Sequence, residues 1–416
     1  MTSEAATTAH ILRRLTFGPF PGGVEAAQKR YDSHAAHIDA LIAAKPIPFK
    51  PPISIDRPFN KGDEGKLGNS IVVKRWMKRM LSDDAAVHER MMWFWHNTFT
   101  SSAEKGTFLF LWQQLRKFHK HAMGNYRELA KEMVIDATII QFLDGDGSSF
   151  HSPNENLARE LMELFMLGRG NYTEADVRAA TRALSGRSVN FKTGNADLNP
   201  AQGPRGIDTF LGRTGAFNDA VIIDTILEQP AASTYVVRRL WRYFIGTTPD
   251  EALVQQWADE FRAGDWEIQP LVANVVRSKA FVDAVHSRPR TGIEWLTAAL
   301  RAGNPSGFRE EQLHDLGQVP YYPPNVAGWP DQSMWQSSAI QFARASYLAG
   351  MKMRLKAPPD GADPVQAALH HCGVFDATTQ TTDTMAGLAQ SLDGDQAART
   401  VALVHAAMLS PEFSVA

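Results

Sequence analysis

Residues 144–170 read DGDGSSFHSPNENLARELMELFMLGRG, a polar loop that runs straight into a helical pattern. Ser152 is a suitable cap, and Pro153 fits the first helical position, where its missing N–H would have had no partner anyway. Glu155 then falls in the first turn, where the helix dipole favours a carboxylate. At ~100° per residue from Glu155, Arg159 lies near ~40°, Glu163 near ~80°, Asn156 near ~100° and Glu160 near ~140°. Leu157, Leu161, Phe165, Ala158 and Met162 fill the arc from about 200° to about 340°. One face is therefore core, and the other is a strip of three carboxylates, an arginine and an amide. Gly168 and Gly170 are natural stops. The same 3.6-residue spacing recurs along the chain, and alternating strand patterns are scarce. The fold class read from this is mainly α: a large multi-helix single domain with long loops and at most a small β-hairpin.

Two readings of the strip stand side by side. In one it is a solvated face, with Glu155–Arg159 and Arg159–Glu163 as ordinary i,i+4 pairs. In the other it is a cleft-facing cluster, in which Arg159 holds ionised partners and one glutamate is raised in pKa. His151 and Asn154 at the helix entrance place a titratable base and an amide beside it.

The loop carries a second signal. Counted from Asp144, oxygen-bearing positions one, three, five and twelve are Asp144, Asp146, Ser148 and Glu155, with Phe150 at seven able to offer its carbonyl. That is the spacing of a helix–loop–helix calcium site. A helix read over residues 126–143 supplies the incoming arm. Position six is Ser149, where such a loop needs Gly for its sharp turn. The alternative is a glycine-rich turn with aspartates as turn formers.

Composition excludes several classes. Of 416 residues, 43 are Lys or Arg and 45 are Asp or Glu, a net charge of −2 that gives no bulk attraction to nucleic acid or anionic membrane. Cys372 is the only cysteine, so neither an intrachain disulfide nor a cysteine-based zinc site can form. No apolar run approaches the length of a membrane span. The start, MTSEAATTAHILRRL, lacks a long apolar segment. The chain as it stands reads as cytoplasmic, or as exported if a leader was removed.

Helical patterns cover residues 71–80 and 86–99. The second holds ERMMWFWHNTF, whose consecutive Trp93, Phe94, Trp95 and His96 cannot share one face, so it is expected to be buried on most sides. His96 is then a core histidine or a site residue, and Trp95 a substrate contact or core. Thr173 and Asp176 form a capping box. Residues 187–219 lack helical period and suit a short hairpin near 203–217. The proline-rich stretch 45–69 reads as loop. GQVPYYPPNVAGWP, residues 317–330, is rigid and non-helical; Tyr322, Asn325 and Trp329 suit either a ligand wall or packing against the core. Residues 357–364 read as a linker between a main helical domain (1–356) and a C-terminal helical extension packed on it (357–416).

HILRRLTFG, ERMMWFWHNTF, PNENLARELMELFMLGRGNYTEADVRAATRALSG, FLGRTGAF, VVRRLWRYF and LGQVPYYPPNVAGWP occur in that order. Together they resemble a bacterial family catalogued as domain of unknown function 1800, over roughly residues 8 to 350. By that resemblance Asp144, Asn154, Glu155, Asn156, Arg159, Glu160 and Glu163 match the core motif, and Asn325, Gly328 and Trp329 a later one. The resemblance implies export, an extracellular glycan or related polymer as substrate, and a sulfatase-like partner protein. It also implies a His-Asp pair shortly before FLG, whereas this chain reads NPAQGPRGIDTFLG there.

The best functional expectation is a hydrolase of a glycan or related polymer. Glu155, Arg159, Glu160, Glu163, His96 and His151 would be its catalytic set, and Trp95, Asn154, Asn156, Tyr322, Asn325 and Trp329 its substrate contacts. The alternatives are a non-catalytic, calcium-stabilised binding or assembly protein, and a metal-dependent oxidoreductase with Glu and His ligands. The Glu-x-x-His spacing of helical metal bundles is absent.

Overall fold

In a computed structural model, residues 3–49, 66–82, 86–303, 307–330 and 332–416 are described. These residues are mainly helical, in 22 helices with two small two-stranded sheets. The mainly α expectation therefore holds. Of the hairpins, Asp208–Phe210 with Arg213–Gly215 falls inside the expected stretch, and Arg187–Asn190 with Asn195–Leu198 is an additional one. Most of the proline-rich stretch lies outside the described residues, and the next helix runs Lys66–Met80.

The aromatic helix Val87–Thr98 is the hub. Every residue in it except Asn97 is buried, as four adjacent bulky side chains require. Trp76 packs edge-on to both Trp93 and His96, and Trp95 lies against Tyr126. The 317–330 segment is clamped to the C-terminal end of this helix. The Tyr321 N–H donates to His96 Nε2 at 3.1 Å, its hydroxyl donates to the Leu111 carbonyl at 3.2 Å, and the Trp329 N–H donates to Asn97 Oδ1 at 3.3 Å. Gly328 has φ +85, and a Cβ there would sit 2.5 Å from Asn97 Oδ1, so both backbone shape and close approach demand glycine.

Charge is buried at the centre. Glu294 accepts two bonds from Arg288, at 2.8 and 2.6 Å, and lies 2.6 Å from Arg90. Arg14, fully buried from the HILRRL helix Glu4–Leu15, donates to the carbonyls of Ile245 and Ala284 and to Ser287. The last residues brace the same region: the Arg290 N–H donates to the Ser414 carbonyl and the Ala416 N–H to the Arg288 carbonyl. The C-terminal segment thus shares the main core, with Leu403, Val404 and Met408 buried in it.

Three local expectations are corrected. The helix after the loop begins at Asn156, with Glu155 at the cap position, not at Ser152 and Pro153. Asn154 Oδ1 takes the Asn156 N–H at 2.9 Å, and Ser149 takes the Ser152 N–H, so side chains satisfy these donors in turns before the helix starts. The incoming arm is two helices, Tyr126–Val134 and Ala137–Phe142, because Asp136 caps the second through Thr138 and Ile139. And the PNENLAREL helix does not stay α-helical. After Asn156–Glu160 it widens to a π-helix over Leu161–Met166, with the Leu167 N–H reaching back five residues to Met162.

Candidate functional site

The strip is a half-exposed ion network, not a sealed cluster. Arg159 donates to both oxygens of Glu174, at 2.6 and 2.8 Å, and to Glu155 at 3.2 Å. The Glu155 side chain is 45% exposed and that of Arg159 33%, so the solvated reading fits this end of the strip. Arg159 does not bond Glu163. That carboxylate instead accepts from the Tyr172 hydroxyl at 2.7 Å and from Arg169 Nε at 2.5 Å. These two bonds, Tyr172 first, hold Glu163 below the usual carboxylate range. Tyr172 in turn is pushed up to about 12, first by burial and then by its bond to Glu163.

Glu160, three residues earlier, has the opposite environment. It is half-buried, and its carboxylate makes no hydrogen bond or ion pair to another described residue. Burial, then the charge of Glu163, raises its pKa. The two glutamates straddle the switch from α- to π-helix. A π turn weakens the hydrogen-bond ladder, and such turns gather at functional sites.

The remaining predicted residues separate. His96 is fully buried among Trp76, Trp93, Tyr321 and Trp329, and burial lowers its pKa to about 3. With Nε2 accepting from Tyr321, the ring proton belongs on Nδ1. Trp95 is also core, donating to the Ala122 carbonyl at 3.0 Å. His151 is exposed at the turn, edge-on to Phe150. Asn154 is exposed and occupied by its turn, and Asn156 Nδ2 donates to the Leu143 carbonyl. Tyr322 is half-buried, and Asn325 is exposed and bonded to the Ala327 N–H. Neither histidine bonds a glutamate of the strip.

The calcium spacing does not bring its oxygens together. Asp144 pairs with Lys105, Asp146 Oδ1 accepts the Val189 N–H at 2.9 Å, Ser148 Oγ accepts the Asn154 N–H at 3.0 Å, and Glu155 faces Arg159. Gly147, not position six, takes the left-handed turn, and Asp144 itself has φ +54. Among the described residues no group of three or more His, Cys, Asp or Glu is placed to hold a metal ion.

Next to the strip lies a cavity of about 320 Å³ that sequence reading did not assemble. Leu164, from the π turn, forms part of its wall. A second π-helix, Trp241–Ile245, contributes Arg242 and Tyr243. Arg239, Arg288, Asn97, Thr291, Gln318, Trp93, Trp329 and Trp335 also line it, and no described lining residue is a carboxylate. Direct bonds link this wall to the strip's helix. The Tyr235 hydroxyl donates to the Leu164 carbonyl, and Arg239 donates to Tyr235 and to the Asn97 carbonyl. Of the residues expected to touch substrate, only Trp329 lines this cavity. Its indole N–H is buried with no partner among the described residues. The available sequence signal was VVRRLWRYF, which sets arginines into an otherwise apolar helical run.

No described helix is long and apolar enough to cross a membrane. Comparison with curated proteins and with solved structures found no match. The family described as protein of unknown function (DUF1800) matches residues 10–415, nearly the whole chain, and the chain belongs to that family.

Proposed function

We propose that the protein is a hydrolase of a glycan or related polymer, with Glu160 as proton donor and Glu163 as its ionised partner. The observation that carries this reading is the unequal surroundings of the two carboxyl groups: half-buried Glu160 has no hydrogen-bond or ion-pair partner among the described residues, and burial raises its pKa, while Glu163 accepts bonds from Tyr172 and Arg169 that lower its pKa. Two titratable groups pushed apart in this way divide acid and anion roles. Glu160 donates its proton to the leaving oxygen as the glycosidic bond breaks. Ionised Glu163 stabilises positive charge at the sugar carbon. Water then adds its hydroxyl to that carbon and returns a proton to Glu160, so atoms and charge balance.

The test is turnover on a panel of polysaccharides with Glu160→Gln and Glu163→Gln. Removing a general acid should lower kcat by roughly 10²- to 10⁴-fold while the melting curve stays intact. The rate should fall as pH rises through a value above the ordinary carboxylate range, because only protonated Glu160 can donate. Undiminished turnover in Glu160→Gln, or a basic limb that survives in it, would remove Glu160 from the reaction.

A further inference from the structure

Three neutral side chains on the wall of the cavity between the two π turns hold hydrogen-bond donors that the fold leaves unused. Gln318 Oε1 accepts the Ile293 N–H at 2.9 Å, and Asn97 Oδ1 accepts the Trp329 N–H at 3.3 Å. A backbone N–H can bond only the oxygen of an amide side chain, so each bond fixes which way that amide faces. The NH2 group of each then makes no hydrogen bond to another described residue. Trp329 adds an indole N–H that is buried without a partner among the described residues. Gln318 is 2% exposed and Trp329 5%. Buried donors are normally paired, so three unused ones on one wall point to an acceptor that comes from outside the chain. Arg288 and Arg239 are engaged within the protein, the first by Glu294 and the second by the Tyr235 hydroxyl and the Asn97 carbonyl. The rest of the wall is apolar in part: the Trp93 and Trp329 rings lie 5.4 Å apart, with Phe94, Pro289 and Pro330 also on it. The volume of about 320 Å³ sits at the lower end of the ~300–1,000 Å³ usual for small-molecule sites.

We propose that this cavity binds a neutral N-acetylated hexosamine unit, its acetamido carbonyl accepting from these donors and its methyl group packed on the indoles. A carbonyl oxygen has two lone pairs and no proton, so it complements a wall of N–H groups. An uncharged acceptor also costs less to take out of water than an anion does. The methyl group beside that carbonyl and the apolar face of the sugar ring both suit indole surfaces. Binding here requires neither Glu160 nor Glu163, so it stands or falls independently of the hydrolase reading.

The experiment titrates the full chain with N-acetylglucosamine, glucose, glucosamine and glucuronate, read by tryptophan fluorescence and by saturation-transfer NMR. The expected result is that N-acetylglucosamine binds tenfold or more tightly than the other three, changes tryptophan emission, and receives its strongest saturation at the acetyl methyl. Trp329→Phe keeps an aromatic ring and removes only a donor that bonds nothing in the protein. Asn97→Asp keeps the acceptor for the Trp329 N–H and removes the NH2 group. Each should weaken the binding of N-acetylglucosamine threefold or more. Glu160→Gln should bind it as the wild type does, whatever becomes of turnover. Glucose or glucosamine binding as tightly as N-acetylglucosamine would overturn the proposal, as would tighter binding of glucuronate. So would no binding at millimolar concentration, or unchanged affinity in either folded variant.

Discussion

Arg288 and Glu294 are joined by two side-by-side bonds in the interior, and the same arginine forms part of the cavity wall. The pair therefore ties the buried charge cluster to the cavity wall. Arg288 and Arg90 both lower the pKa of Glu294, overcoming the burial that would raise it. Glu294→Gln removes the carboxylate that both guanidiniums face, and should cost about 3–5 kcal/mol. In the cycle with Arg288→Met, the double variant should lose clearly less than the sum of the single losses. Additive losses in chemical denaturation would show that the two groups are not coupled.

Because the folded-state pKa of Glu294 is depressed, its contribution is present above the unfolded carboxylate pKa of about 4.3 and is lost as pH falls below that. Wild-type stability should therefore fall in acid more steeply than that of Glu294→Gln. Parallel curves of stability against pH below about 4.5 would exclude Glu294 as an acid-sensitive group.

The parts of the fold governed by neighbouring residues were legible. The Thr173–Asp176 capping box forms as expected, because both bonds lie within one turn. The burial of Val87–Thr98 followed from aromatic crowding on every face. The π turns were not legible. The wider turn leaves the apolar pattern of LMELFM unchanged, so the spacing does not announce it, nor the bonds that Glu163 within it accepts from Tyr172 and Arg169. The cavity was hidden for another reason: it joins residues 93–97, Leu164, residues 239–243, residues 288–291, Gln318, residues 327–330 and Trp335, and no local periodicity encodes that meeting. His96 was ambiguous in sequence because a histidine beside tryptophans serves core and catalysis equally well. The backbone bond from Tyr321 is what places it in the core.

Arg159 offers a test of the strip's solvated end. Its raised pKa comes first from its bond to Glu174, but the group is partly exposed and so well screened. Arg159→Ala should cost less than about 1 kcal/mol in thermal or chemical unfolding. A loss of several kcal/mol would mean that Glu155 and its neighbours are sealed from water in solution.

For the loop at Asp144, calcium would have to displace Lys105 from Asp144 and the Val189 N–H from Asp146. Melting in EDTA and in millimolar calcium should therefore coincide for the wild type. A ligand that bound at 100 times below its concentration would add about 2.7 kcal/mol, which a melting curve detects easily. A rise in calcium that Asp144→Ala abolishes would establish the ion there and show that the loop rearranges to take it.

His96 makes a prediction of distinct sign. Its folded-state pKa is about 3, through burial, against about 6.5 in the unfolded chain. Between those values the unfolded state binds the extra proton, so stability is greatest above the unfolded pKa and declines as pH falls. One such group contributes about 1.4 kcal/mol per pH unit across that window. His96→Gln keeps an acceptor for the Tyr321 N–H but cannot titrate. It should lose about 1–3 kcal/mol at neutral pH through imperfect packing and geometry. Its stability should then decline less steeply than the wild type's between about pH 6 and 4, by roughly that 1.4 kcal/mol per unit. Other histidines with lowered pKa, buried His10 and half-buried His286 among them, remain in both proteins, so the difference between the two slopes isolates His96. Equal slopes would mean that the imidazole is already protonated in the folded protein. In that case Nε2 cannot accept from Tyr321, and the clamp between the aromatic helix and residues 317–330 must be held by other contacts.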